Sequence, residues 1–358
     1  MTSNLSRTNS HTLIFVSNSL SRGGAERVIV NIANHFATSK YDVHLVSRHD
    51  DKSYETASSI KLHYITEQST FRYIRILRKL INATNPKAVI SFQHTINFCT
   101  ILASLPLRGM RVVVSERNDP SKARHLLLRN ILRFMLYPFA STLVCQTDDA
   151  KFYFPKYIQR KSVVILNPLT PNLPQKSISV EQREKRVVNF CRLHPAKNIP
   201  LLLEAFKMFE RLHPDYKLQI FGNGDEKEYL MQLVEDMQMQ QMVEIHPACQ
   251  DIHARVINAA MFVSSSNYEG LSNSMLEAMA MGLPTICTDC PCGGARMMIK
   301  DGVNGLLTSV GDAAKLCEAM CRVVDNPSLA KTMSTNAMKL REQLDIRQIA
   351  KQWENLWV

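Results

Sequence analysis

The chain has 358 residues, 45% of them hydrophobic and 21% charged, and a formal net charge of +11. That length exceeds what one core usually supports, so two domains are expected, and no apolar run approaches the ~20 residues of a membrane-spanning helix. The polar start MTSNLSRTNSHT lacks the apolar core of a secretory signal, and nine cysteines are scattered without framework spacing. Secretion and a disulfide scaffold are therefore not expected; reduced thiols in a cytoplasm are.

Charge is unevenly placed. Residues 1–175 hold 23 Lys and Arg against 10 Asp and Glu, a balance of +13, while the remainder holds 20 against 22, a balance of −2. A basic first half implies an anionic partner for that half: a membrane surface, a nucleic acid or an acidic substrate.

In chain order, Leu13 to Val16 reads as a short buried strand. A turn from Ser17 to Gly24 follows, then a helix from Ala25 to Phe36 with apolar residues at helical spacing. Gly23 and Gly24 open that helix, where a phosphate could approach the N–H groups. A dinucleotide-binding G-x-G-x-x-G is absent, which counts against a dehydrogenase. Strand candidates follow at Val43 to Ser47, Lys61 to Ile65, Ala88 to Phe92, Val112 to Ser115, Thr142 to Cys145 and Val163 to Leu166. Strands alternating with helices predict a parallel sheet covered on both faces, with ligands beyond the carboxyl ends of the strands. Those ends carry Ser17-Asn18, Gln93-His94, Glu116-Arg117-Asn118 and Gln146-Thr147.

Two helices in this half mix basic and large apolar residues. Phe71 to Ile81 interleaves Arg72, Arg75, Arg78 and Lys79 with apolar residues, and Lys122 to Tyr137 does the same with Arg124, Arg129 and Arg133. Such helices can lie on an anionic bilayer, or they can pack by the apolar face and solvate the basic one. The composition fits both.

Residues 167–185 carry Pro168, Pro171 and Pro174 and then polar residues, the best interdomain linker in the chain. A second alternating pattern starts with the strand Val187 to Phe190, which enters C-R-L-H-P-A-K-N and the helix Ile199 to Arg211. Arg192 and Lys197 stand on that loop; a guanidinium grips two phosphate oxygens and an ammonium adds a point charge. The strand Lys217 to Phe221 enters G-N-G-D-E, a tight turn at Gly222, and Met242 to His246 is a further strand. The strand ending at Val263 then runs into SSSNYEGLSNSMLEAMAMGLPTICTDCPCGG. Here Ser272 to Ser274 are good N-cap residues, Gly270 permits close backbone approach, and the N–H groups of Leu271 to Ser274 offer an anion site. Glu269 and Glu277 frame the helix entry as acceptors for sugar hydroxyls. Cys287, Cys290 and Cys292 cluster, but no second Cys/His pair follows at zinc-site spacing, so no metal is expected. Trp353 and Trp357 lie four apart in the last helical segment, Ile346 to Val358.

The stretch N-Y-E-G-L-S-N-S-M-L-E-A-M-A-M-G-L-P-T-I resembles the donor-site motif of retaining glycosyltransferases of family four, which have the GT-B fold. R-L-x-x-x-K at Arg192 and Lys197, G-x-G at Gly222, G-G-A-E-R after the first strand, and G-G-A-R-M-M-I-K-D-G-V-N-G-L-L after the motif resemble the family in the same order. The resemblance implies an α/β GT-B protein with two Rossmann-like doubly wound domains facing across a cleft. Residues 1–170 would bind acceptor, 171–185 would link, 186–340 would bind donor, and the helix 346–358 would pack back on the first domain.

It also implies roles. Arg192 and Lys197 would hold the donor diphosphate, Gly270 and Leu271 would add backbone donors, Glu277 would bind the ribose hydroxyls, and Glu269 would orient the donor sugar. Gly24 and Gly222 would lie beside the donor, and Gly23 on the acceptor side. Many members carry a histidine after the strand ending at Ser115; here S-E-R-N-D-P stands instead, leaving Glu116, Arg117 and His94 as candidates. Met297 stands where many have glutamate.

The reaction implied is transfer of a hexose or N-acetylhexosamine from a nucleotide-sugar, UDP-linked by preference, with retention and without metal, since no convincing D-x-D appears. The nucleotide-sugar is a substrate, so no cofactor is expected, nor any nucleic-acid partner. The acceptor is expected to be lipid-linked or a glycan, reached from the cytoplasmic face of the membrane, with Arg72, Arg75, Arg78, Lys79, Arg129 and Arg133 as lipid contacts. The alternatives are another GT-B enzyme such as a nucleotide-sugar epimerase, or a non-catalytic membrane-binding scaffold.

Overall fold

The computed structural model describes residues 11–21, 23–122, 126–174 and 179–358. The chain divides into two compact units, Met1–Pro168 with Asp345–Val358, and Leu169–Leu344.

The first unit is built on a seven-stranded sheet of β1 (Thr12–Ser17), β2 (Asp42–Ser47), β3 (Lys61–Tyr64), β4 (Ala88–Phe92), β5 (Arg111–Ser115), β6 (Thr142–Cys145) and β7 (Ser162–Val164). Its order is β3-β2-β1-β4-β5-β6-β7, every pair parallel. Leu13, Ile14, Phe15 and Val16 are all buried, as a central strand covered on both faces requires. Helix α1 (Gly24–Ala37) buries Val28, Ile29, Ile32, Ala33 and Phe36, the positions that face the sheet at helical spacing. Helix α2 (Thr70–Thr84) is capped by Ser69, whose hydroxyl accepts from Arg72 N, and buries Tyr73, Leu77 and Ile81. Helix α3 (His94–Ser104) follows β4.

The helix expected over Lys122 to Tyr137 is shorter. A 3-10 turn spans Pro120–Lys122, Arg124 lies outside the described residues, and helix α4 covers Leu126–Leu136. Pro138 has no N–H to continue the ladder, and the chain leaves through a 3-10 turn at Tyr137–Phe139.

The second unit repeats the plan with six parallel strands, β8 (Glu184–Phe190), β9 (Lys217–Phe221), β10 (Val243–His246), β11 (Ala259–Ser264), β12 (Thr285–Thr288) and β13 (Leu306–Thr308), in the order β10-β9-β8-β11-β12-β13. Leu202, Phe206 and Phe209 of the helix Ile199–Glu210 fill its core together with Leu316 and Met320 of the helix Ala313–Asp325. In each sheet the strand order reverses at one place, between β1 and β4 and between β8 and β11. Chains depart to opposite faces there and leave a crevice at the strands' carboxyl ends.

The C-terminal helix Ile346–Glu354 belongs to the first unit. Trp353 stacks on Phe92 with ring centroids 5.5 Å apart, and Trp357 meets Phe36 edge-on at 5.3 Å. Tyr41 Oη donates to Glu354 Oε1 at 2.8 Å. The division between units falls after Pro168, inside the stretch 167–185 read from composition as the linker, and residues 175–178 of that stretch lie outside the described residues.

Candidate active site

In the second unit the reversal point is occupied by the loops after β8 and β11. The first loop carries Arg192 and Lys197, the second Glu269 and Gly270, and polar contacts join the two. Ser265 Oγ donates to Lys197 O at 3.0 Å and to Asn198 O at 2.8 Å, and Asn267 N donates to Ala196 O at 2.8 Å. Lys197 Nζ donates to Glu269 Oε1 in an ion pair whose side chains are 17% and 22% exposed. Burial opposes the Lys197 ammonium, but the Glu269 carboxylate, together with Cys191 and Cys290, outweighs it and holds the pKa above the ordinary lysine value. Glu269 Oε2 accepts from Ser266 Oγ at 3.2 Å. Both oxygens of the carboxylate expected on the donor sugar are thus engaged, and its first effect is to fix the ammonium. Arg192 is exposed, with no side-chain partner among the described residues.

Beyond Gly270, Ser272 caps the helix Asn273–Ala280, its hydroxyl accepting from Met275 N at 3.4 Å. Gly270 and Leu271 are buried against the turn at Gly294, where a Cβ would lie 1.9 Å from Gly270 O. Glycine is required at 294 for this approach. Gly222 has a similar cause: a Cβ there would meet Cys191 O at 2.1 Å, so the G-N-G turn packs directly on the loop bearing Arg192. Glu277 is 3% exposed, and its Oε2 lies 2.9 Å from His253 Nε2. The His253 ring packs edge-on against Phe190 at the end of β8. This partner leaves no mark in the sequence, because a histidine 24 positions before a carboxylate carries no motif.

In the first unit, Glu26 of α1 folds over Gly23, where a Cβ would lie 2.1 Å from its Oε2, and Glu26 Oε1 accepts from Gln93 Nε2 at 2.5 Å. Gly24 is exposed at the start of α1. Gln93 has φ 73°, a conformation a non-glycine residue adopts at a cost of ~1–3 kcal/mol, often where a site demands it. Neither Glu26 nor Gln93 stood out as a pair in the sequence; a strained backbone leaves no trace there. His94 begins α3, and its Nε2 is buried without a hydrogen-bond partner among the described residues. Burial lowers its pKa, so it is neutral at pH 7.

Two expectations are corrected. Glu116, a candidate acceptor-side catalytic group, is 3% exposed. Its Oε1 accepts from Arg133 Nε at 3.0 Å and from Tyr137 Oη, and its Oε2 from Arg133 Nη2 at 3.3 Å. A carboxylate so enclosed offers no oxygen to an acceptor. Arg133, expected against lipid, is 1% exposed for the same reason, since a buried carboxylate needs its counter-charge beside it. Arg117 is 6% exposed, stacked over the Phe92 ring at 4.6 Å, and donates to Asn167 Oδ1; burial without a carboxylate lowers its pKa to about 9. Arg72, Arg75, Arg78 and Lys79 are exposed on α2, with Arg78 also donating to Leu102 O at 2.8 Å and Ala103 O at 3.2 Å, and Arg129 is half-buried. Among the described residues no group of three or more His, Cys, Asp or Glu could hold a metal, and no helix is long and apolar enough to cross a membrane.

Residues 22–173 match the family model described as Glycosyltransferase Family 4, and residues 174–340 match that of Glycosyl transferases group 1. The chain belongs to this glycosyltransferase family. An uncharacterized glycosyltransferase of Haemophilus influenzae is 24% identical over 96% of this chain and 98% of its own. The N-acetylgalactosamine-N,N'-diacetylbacillosaminyl-diphospho-undecaprenol 4-alpha-N-acetylgalactosaminyltransferase of Campylobacter jejuni is 24% identical over 93% of this chain and 95% of its own. Among solved structures, Anabaena HepE in complex with UDP superposes with a TM-score of 0.80 at 18% identity, covering 96% of this chain and 98% of that one. That likeness places the two sheets in the GT-B fold class.

Proposed function

We propose that this glycosyltransferase moves a hexose or N-acetylhexosamine from a UDP-linked donor, with retention and without metal, to a lipid-linked or glycan acceptor at the cytoplasmic membrane face. The observation that carries the reading is the Lys197–Glu269 pair beside exposed Arg192 at the β8/β11 reversal. Breaking the bond from the sugar's anomeric carbon to the phosphate leaves an electron pair, and growing negative charge, on the departing diphosphate. Lys197, fixed before the reaction, stabilises that charge without reorganising, the usual largest contribution of a protein to such a step, and Arg192 adds a second positive charge. Glu269 and Ser266 hold the ammonium in place. Gly270 and Leu271 add N–H groups, and Gly222 lets backbone approach the donor. Glu277 takes the ribose hydroxyls beside His253. The sugar itself passes through an oxocarbenium-like state, as in glycoside hydrolysis.

On the acceptor side the remaining candidates are Gly23, His94 and Arg117, with Gln93 and Glu26 beside them. A lipid-linked acceptor is supported by the +13 balance of residues 1–175 and by the name of the Campylobacter relative, whose acceptor is a diphospho-undecaprenol. UDP is supported by its presence in the HepE structure. The test is NMR of the earliest product in excess EDTA, after a donor screen by thermal shift, where ligand at ~100 times its Kd adds about 2.7 kcal/mol. Activity under chelation and the donor's own anomeric configuration are expected. Inversion, or activity restored only by manganese or magnesium, overturns the mechanism.

A further inference from the structure

Helix α4 is turned inside out. Leu127, Ile131 and Met135 fall at i, i+4 and i+8 with Leu128 beside them, and these side chains are 78%, 46%, 64% and 60% exposed respectively. The opposite face carries Arg133, buried on Glu116 and donating to Pro120 O at 2.9 Å. A surface helix normally does the reverse. Helix α2 offers a contrast: the sequence reads the two alike, yet α2 buries Tyr73, Leu77 and Ile81 and turns Arg72, Arg75 and Lys79 outward, although Phe71 and Ile76 are exposed there as well.

The exposed apolar surface continues past α4. Tyr157 Oη donates to Phe134 O at 3.3 Å, and Asn130 Nδ2 donates to Tyr153 Oη at 2.6 Å. These bonds hold residues 148–159 against α4, bringing Phe152 and Tyr157, 62% and 50% exposed, to the same region as Phe139, 61% exposed. Large apolar side chains left exposed together on neighbouring elements are the mark of an interaction site. Its setting selects the partner. Apart from Arg133, which Glu116 neutralises, residues 122–161 hold seven Lys and Arg against Asp148 and Asp149, and Lys156 and Arg160 flank Tyr157 at the surface.

We propose that this face docks the protein on an anionic phospholipid bilayer. Leucine, methionine and phenylalanine enter the boundary of the acyl region, tyrosine sits at headgroup level, and the rim cations meet lipid phosphates. A second copy of this chain would set the same positive rim against itself. The inference deepens the functional reading and rests on it for the purpose of docking, since a lipid-linked acceptor is reached only from the leaflet. It reassigns the contact from Arg133 and the basic face of α2 to the apolar face of α4.

The test is sedimentation of the full chain with vesicles of phosphatidylglycerol and phosphatidylcholine. Leu127→Gln, Leu128→Gln, Ile131→Gln and Met135→Gln together should weaken binding by about tenfold or more, in a manner high salt does not reproduce. Phe152→Ser with Tyr157→Ser should repeat part of the loss. Arg72→Ser, Arg75→Ser and Lys79→Ser should remove only a salt-sensitive share. An unchanged melting temperature and an unchanged thermal shift with UDP certify the fold of each variant. A quadruple Gln variant that sediments like the wild type overturns the proposal. So does a wild type that ignores anionic vesicles, or a concentration-dependent dimer that the Gln substitutions abolish. Failure to bind any UDP-sugar would sink the functional reading while leaving the vesicle result intact.

Discussion

In each unit a carboxylate–cation pair joins residues at the carboxyl ends of the sheet, Glu116 with Arg133 and Glu269 with Lys197, and these two pairs have different uses. Glu116 and Arg133 are 3% and 2% exposed, joined by two bonds and closed over by Tyr137. Glu269 and Lys197 are 22% and 17% exposed, joined by one bond, and lie beside an exposed arginine. A pair sealed from solvent holds the backbone around it and does no more. A pair left part-open keeps its cation charged, aimed and within reach of a ligand. An ion pair at a strand end is therefore not a site by itself; access decides.

Four experiments would break or sharpen that contrast. Glu116→Ala leaves Arg133 buried without its counter-charge and should destabilise the first unit by about 3–5 kcal/mol, read by denaturant unfolding. UDP binding by the second unit should survive wherever the protein remains folded; a variant as stable as the wild type would refute the sealed-pair reading. Lys197→Ala should cost about 2.7–4 kcal/mol of transition-state stabilisation, seen as a fall in kcat greater than the rise in KM for the donor. Its melting temperature should stay near the wild-type value, the opposite pattern to Glu116→Ala. Glu277→Ala should weaken nucleotide binding by about 1.5–3 kcal/mol in titration calorimetry, because a charged acceptor for hydroxyl groups is lost.

The smallest effect is that of pH. Burial lowers the pKa values of His35, His44, His63 and His94, all in the first unit. A histidine kept neutral when folded takes up a proton more readily when unfolded. Its stabilising contribution is therefore present above the ordinary histidine value near 6.5 and is lost as pH falls from there toward the lowered values. Calorimetry at pH 7.5 and 5.5 should show the first unit melting earlier at the lower pH. A transition that moves upward on acidification would contradict the assignment.

These contrasts also mark what the sequence could reveal. Arg192, Lys197, Glu269 and Glu277 stood out because the stretches around them resemble the family's motifs; by spacing alone, two glutamates eight residues apart read as an ordinary strand-loop-helix unit. The strand alternation likewise gave both sheets, since buried parallel strands are written as short apolar runs. Arg133 was not legible. Whether an arginine among leucines faces water or the interior depends on a carboxylate 17 residues away, which helix periodicity does not encode. The same holds for His253 beside Glu277 and for the fold of Glu26 over Gly23. Both are tertiary meetings of side chains, and the second also needs Gln93 in a backbone state that its residue type does not advertise.

The return of the last helix to the first unit has a consequence for synthesis. The bond from Tyr41 to Glu354 joins residues 313 apart, and Phe36 and Phe92 gain their tryptophan neighbours only from the same late segment. The second unit, Leu169–Leu344, is continuous. On the ribosome, where domains ordinarily mature from the N-terminus onward, this chain must therefore complete its second unit first. The nascent first unit waits with Phe36 and Phe92 lacking these neighbours until Trp353 and Trp357 emerge and cover them.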